Sequence, residues 1–284
     1  MPAQRKSSPG DQIADCRAAA GAGKAFSWKL WLYTNFHCNL QCSYCVAEST
    51  PAAPSRELGL ATVQQLVDEA VAMGFQRVFL TGGEPLILDD IYEMIAYASA
   101  RMPTTLLTNA ILLNGRRWHR LQAVQAQSNG NLTVQVSLDG ARAKHHDPYR
   151  GRGTWAKTVA GIRRLLDHGF HVCIGTTETP ANSAHLGELA AFRRELGIAA
   201  ADHFVRPLAR RGFATEGMEV GTHNLQPEVT VTVDGVYWHP LVSPSDSDML
   251  VSEEIFPLAR AVACIRQRLN GGSDETAKKR TEFT

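Results

Sequence analysis

Three cysteines crowd into eight residues of the segment NFHCNLQCSYCVAEST, as Cys38, Cys42 and Cys45 in the pattern C-x3-C-x2-C. Three thiolates on one loop can hold three irons of a cubane and leave the fourth iron without a protein ligand. That vacancy suits chemistry, because a small molecule can chelate the open iron and accept an electron from it. The competing use of such a loop is a closed zinc site. It needs four ligands, commonly in two separated pairs, and the chain has no second cysteine pair. His37 adjoins Cys38, and a His-Cys dipeptide chelates one ion poorly.

Six cysteines are too few to staple 284 residues, and three so close together cannot span a framework of disulfides. The pattern predicts a reduced, cytoplasmic protein in which the cluster holds metal. Lys plus Arg number 29 against 28 Asp plus Glu, which argues against a surface built for nucleic acid or anionic lipid. No apolar run approaches the ~20 residues that a membrane span requires. The N-terminal segment lacks the apolar stretch of a secretory signal.

The elements around the cysteines alternate strand and helix. Strands are predicted over 27–34, 75–80, 104–107, 132–138, 171–177 and 202–206. Helices are predicted over 60–73, 90–101, 114–125, 155–168 and 182–196, the last with Asn182 as N-cap. Six strands alternating with helices imply parallel pairing through right-handed crossovers, and hence an α/β partial (β/α)6 barrel with its chemistry on the loops after each strand. Residues 1–25 read as a flexible N-terminal arm, 26–210 as the barrel and 271–284 as a disordered tail. Within 211–270, Asp234-Gly235 between two apolar runs predicts a small C-terminal β-hairpin, followed by a helix over 253–269.

These features together resemble the radical S-adenosylmethionine (radical SAM) superfamily. The resemblance rests on C-x3-C-x-aromatic-C after the first strand, with Tyr44 before the last cysteine, and on LTGGEPLI after the second. It implies a [4Fe–4S] cluster on Cys38, Cys42 and Cys45, and S-adenosylmethionine as the second cofactor. It also implies that Gly82, Gly83 and Glu84 receive the α-amino group of S-adenosylmethionine. Thr108 and Asn109 after the third strand, with Ser137 and Asp139 after the fourth, match positions that contact the ribose and the methionine carboxylate. The segment KHHDPYRGRGTW resembles members with a C-terminal SPASM or twitch extension, and by that likeness Arg150 pairs with the methionine carboxylate. His145 and His146 read as exposed residues of a polar loop.

The chain also departs from those relatives. Where the hairpin would carry Pro-Cys it has His239-Pro240. Cys16, Cys173 and Cys264 are one thiolate short of a second four-cysteine site, and His223 and His239 read as surface or packing residues. The expectation is a degenerate extension without an auxiliary cluster, and with it a redox-neutral outcome such as epimerisation, elimination, decarboxylation or rearrangement. Residues 1–25 are too few and too polar for a domain that grips a leader peptide, which favours a small-molecule substrate: a sugar, a nucleoside or another natural product. Modification of a peptide is the second reading, and a non-catalytic iron–sulfur sensor the third. An external reductant of the flavodoxin or ferredoxin type is implied. An inversion at carbon would need a hydrogen donor, for which Cys173 and Cys264 are the candidates outside the loop.

Overall fold

The computed structural model describes residues 29–270. Its centre is one nine-stranded sheet in the order β6-β5-β4-β3-β2-β1-β7-β8-β9. Strands β1 (Lys29–Tyr33), β2 (Arg77–Thr81), β3 (Thr104–Thr108), β4 (Leu132–Ser137), β5 (His171–Glu178) and β6 (His203–Pro207) all run parallel. Helices α1 (Leu60–Met73), α2 (Ile91–Ser99), α3 (Gly115–Gln127), α4 (Ala143–Arg150), α5 (Thr154–Asp167) and α6 (Leu186–Glu195) lie in the crossovers. The sheet is open, as the predicted partial barrel requires.

Alternation along each strand divides its two faces. Leu30 and Leu32, Val78 and Leu80, Val134 and Val136, and Val172 and Ile174 join the apolar core shared with the helices. Their neighbours Trp31, Phe79, Thr105, Thr133, Gln135 and Cys173 therefore face the concave side. Trp31 and Phe79, paired in register, stack there with ring centroids 4.0 Å apart.

The predicted hairpin forms as β7 (Val229–Thr232) and β8 (Gly235–Tyr237), and because β7 pairs parallel with β1, these strands and β9 (Leu250–Ser252) continue the barrel sheet. Three expectations are corrected. The KHHDPYR segment is helix α4 rather than loop, and it buries His145 and His146. The last helix, α7, runs Leu258–Asn270 and starts after Pro257, because the residue before a proline is biased away from the helical region. Asn182 does not cap a helix with its side chain. It accepts from Thr179 N–H and donates to the carbonyls of Asp139 and Thr177, which ties the end of β5 to that of β4. The predicted arm, the predicted tail, Cys16 and the first residues of the predicted opening strand lie outside the described residues.

Candidate active site

The loop after β1 carries the three cysteines into one cavity of about 260 Å³ at the C-terminal ends of the strands. Cys45 N–H donates to the Cys42 carbonyl (3.1 Å), which makes the turn. Leu40 N–H points at Cys38 Sγ and Ser49 N–H at Cys45 Sγ, each at 3.4 Å. Burial pushes the Cys38 thiol up to about 12 and that of Cys42 up to about 11, and it raises Cys45 as well. Three sulfurs facing one cavity, two of them receiving N–H donors, fit a cluster that takes the place of their protons and leaves one iron toward the open space.

The loop after β2 holds that cysteine loop by its backbone. Gly83 N–H donates to Asn35 O and Glu84 N–H to His37 O, both at 3.0 Å. The approach is so close that a Cβ on Gly83 would lie 2.1 Å from the His37 carbonyl oxygen, and a Cβ on Gly82 would lie 2.3 Å from that of Asn35. The paired glycines are therefore a packing requirement.

Glu84 is completely buried, behind the cavity wall rather than on its surface. Its Oε1 accepts from Thr108 Oγ1 (2.7 Å) and from Leu86 N–H (3.1 Å), and its Oε2 accepts from Asn109 N–H (2.8 Å). Burial pushes its pKa up to about 7 against the opposing pull of these three donors. Glu84 thus joins β2 to the end of β3, where Thr108 and Asn109 do face the cavity.

Asp139 forms a similar junction at the end of β4. Its Oδ2 accepts from Tyr44 Oη (2.5 Å) and Arg150 Nε (2.6 Å), and its Oδ1 accepts from Thr177 N–H (3.0 Å). Its own N–H donates to His146 Nδ1 (3.1 Å), which explains the burial of that histidine. Burial first, and then the Arg150 cation, hold His146 down to about 4, so it is a neutral acceptor. Tyr44, Ser137 and Arg150 line the cavity, while Asp139 stands behind them.

The remaining wall comes from residues after β5 and from the hairpin. Arg206 on β6 faces the cavity, and its Nη2 is buried without a hydrogen-bond partner. Pro240 and Leu241 complete the wall, with the Pro240 carbonyl accepting from Tyr33 Oη (2.5 Å). Gly212 lies against the cysteine loop, where a Cβ would meet the carbonyl oxygens of Cys45 and Val46 at 2.4 Å. Ser243 and Ser245 both donate to Glu48, and Arg211 pairs with Asp246 and Asp248.

The comparisons with known proteins agree with this geometry. The model of the radical SAM superfamily matches residues 32–190, more than half of the chain. The chain belongs to the radical SAM superfamily. Its cofactors are accordingly a [4Fe–4S] cluster and S-adenosylmethionine. It is 32% identical over 185 residues to the AdoMet-dependent heme synthase of Methanosarcina barkeri, covering 64% of this chain and 50% of that one. It is 31% identical over 186 residues to the mycofactocin maturase MftC of Mycobacterium ulcerans, covering 65% and 48%. The chain thus spans about half the length of these relatives. The solved structure of anSMEcpe with bound AdoMet and the Cp18Cys peptide superposes with a TM-score of 0.58 at 14% identity, over 89% of this chain and 86% of that one. The likeness in fold to that structure therefore covers most of this chain.

Cys173 and Cys264 do not join the cavity. Cys173 lies toward the opposite end of β5, and Cys264 is packed into the apolar core from α7. Sequence reasoning missed Arg206, Gly212 and the Pro240-Leu241 wall. The alternation of β6 from Phe204 to Arg206 was the one signal that could have raised the first.

Proposed function

We propose that this radical SAM enzyme acts on a small-molecule substrate carrying a carboxylate or phosphate group, with a redox-neutral outcome. Cys38, Cys42 and Cys45 would hold the cluster, which when bound and reduced would supply an electron to S-adenosylmethionine for hydrogen-atom abstraction from the substrate. An external one-electron carrier of the flavodoxin or ferredoxin type supplies the reductant. The observation that carries the substrate class is Arg206. Arg206 stands in the cavity wall with its Nη2 buried and without a hydrogen-bond partner, and a planar anion reached by a small turn of the guanidinium would satisfy a donor that burial has removed from water. Arg150 commits Nε and Nη2 to Asp139, and from its place in the wall its Nη1 would be left for the methionine carboxylate. Gly82, Gly83, Thr108, Asn109 and Ser137 take the rest of S-adenosylmethionine, and Glu84 attracts its ammonium from behind the wall.

The Pro240-Leu241 wall and the His239 before it support the redox-neutral outcome, since these side chains provide no thiolate for an auxiliary electron acceptor. Peptide modification is the second reading: one of the solved structures that share this fold over most of the chain holds a peptide. The deciding assay uses anaerobic, cluster-loaded protein, dithionite and S-adenosylmethionine, with release of 5′-deoxyadenosine as the signal. Phosphorylated and carboxylated sugars and nucleosides should raise that release, and Arg206→Met should abolish the increase while leaving the slow substrate-free release intact. Stimulation by peptides alone, equal in the Arg206→Met variant, would refute the substrate class.

A further inference from the structure

His171 and Cys173 stand two residues apart on β5, so both project from its concave face. They lie at the start of the strand, whereas Thr177, which lines the cavity, is four residues or roughly 13 Å farther along. Asp202 closes the 3-10 turn that leads from α6 into β6, the strand next to β5. Its Oδ1 lies 2.9 Å from His171 Nε2 and 3.4 Å from Cys173 Sγ, and the three donor atoms all fall within 4.8 Å of one another. The other ring nitrogen of His171, Nδ1, is 3.3 Å from Thr133 Oγ1, the side chain of its register partner on β4.

These distances suit an ion. Zinc with one sulfur, one nitrogen and one oxygen ligand at tetrahedral angles separates its donors by roughly 3.3–3.6 Å, given bond lengths of about 2.3, 2.0 and 2.1 Å. Both measured separations from Oδ1 are within about half an ångström of that range. Without an ion Nε2–H donates to Asp202, and with an ion bound the proton would sit on Nδ1, donated to Thr133 Oγ1, leaving the Nε2 lone pair for the metal, which is how ligating histidines are commonly oriented. A carboxylate, an imidazole lone pair and a sulfur then face one point. A divalent cation there neutralises a thiolate and a carboxylate together, and the thiol proton leaves to solvent. Mixed S, N and O donors select zinc-type ions over magnesium or calcium. His171 is 57% exposed, which gives an ion entry and leaves a fourth position for water. The other convergent group, His145, His185 and Glu188, lacks this geometry. Its two rings stack face to face at 3.9 Å, so their lone pairs run side by side, and Glu188 also pairs with Arg142.

We propose that His171, Cys173 and Asp202 form a zinc-type metal site at the N-terminal end of the sheet, separate from the cluster, that pins the turn before β6 to β5. The position gives it a consequence. β6 is an edge strand, held by pairing on one side only, and it carries Arg206 and leads into the segment that packs on the cysteine loop.

The test uses cluster-loaded protein, so that Cys38, Cys42 and Cys45 are occupied. After dialysis against Zn²⁺ and removal of loosely held ion, metal analysis should give about one zinc per chain in addition to the cluster iron, and zinc-edge X-ray absorption should show a single sulfur at about 2.3 Å. His171→Ala and Cys173→Ser should each lose the zinc and keep the iron content and the visible spectrum of the cluster. His171→Ala changes an exposed side chain and keeps the test alive if the buried Cys173→Ser substitution misfolds. Wild-type protein that retains no zinc, or zinc retained equally in His171→Ala, would overturn the proposal.

Discussion

Tyr44 and Asp139 are separated by 95 residues in the chain and meet through a buried 2.5 Å hydrogen bond from phenol to carboxylate. The contact joins the cysteine loop to the end of β4, and Arg150 closes it from a third side, with its guanidinium 5.3 Å over the Tyr44 ring. The tyrosine between the last two cysteines is therefore a strut. It fixes the loop against the same carboxylate that orients the arginine in the cavity wall.

Removing the two members of this contact should have unequal effects. Tyr44→Phe deletes one hydrogen bond to a charged group, worth roughly 1.5–3 kcal/mol, and leaves the Asp139–Arg150 pair in place. Asp139→Asn leaves Arg150 buried beside a neutral amide, for which a loss of about 3–5 kcal/mol is expected. Denaturant unfolding of the two variants should show this order, with a larger loss of S-adenosylmethionine affinity for Asp139→Asn. Equal midpoints would mean that the carboxylate does not anchor the site.

Gly83→Ala tests the other anchor. The new methyl would meet the His37 carbonyl oxygen at 2.1 Å, and since that atom is backbone, the start of the cysteine loop must move. Iron incorporated on reconstitution should fall severalfold while the far-ultraviolet circular dichroism stays unchanged. Gly187→Ala is the control, because its Cβ meets nothing within 4 Å and the position is helical. A Gly83→Ala protein that loads iron as Gly187→Ala does would remove the steric argument.

What was legible in the sequence is what local spacing encodes. The cysteine pattern, the glycine pair and the strand–helix alternation each depend on residues close in the chain, and the structure places all of them around one cavity. The pairings that decide the site's electrostatics are long-range. Nothing near Asp139 in sequence shows that Tyr44 will reach it, and beyond its alternation with Phe204 nothing local distinguishes Arg206 from a surface arginine. Pro148 and the polar run around it concealed α4, and with it the burial of His145 and His146. Alternation along β5 puts Cys173 on the concave face, in keeping with the core packing of Val172 and Ile174, but alternation carries no information about depth along the strand. That depth separates a thiol at the cavity from one at the opposite end of the sheet.

Glu84 makes the strongest demand on pH. Its pKa of about 7 in the folded chain lies above the 4.5 of an ordinary glutamate, because burial outweighs the donors of Leu86, Thr108 and Asn109. Between those two values the folded protein keeps a proton that the unfolded chain has released. The contribution of Glu84 to stability is therefore full below pH 4.5 and is lost as pH rises through 7. At about 1.4 kcal/mol per pH unit the loss approaches roughly 3 kcal/mol across the window. Other groups titrate in the same range, so the informative quantity is the difference between wild type and Glu84→Gln, which carries no titrating group at this position. Unfolding free energies measured without S-adenosylmethionine from pH 4.5 to 8 should show wild type losing ground to Glu84→Gln up to about pH 7 and holding level beyond it. In the same variant the cluster spectrum should be unchanged, while calorimetry should find S-adenosylmethionine binding weakened, since an attractive charge behind the ammonium is gone and the amide no longer matches the Asn109 donor. A stability difference that is flat with pH would show that Glu84 stays ionised in the folded chain. An unchanged affinity would confine its role to joining β2 and β3.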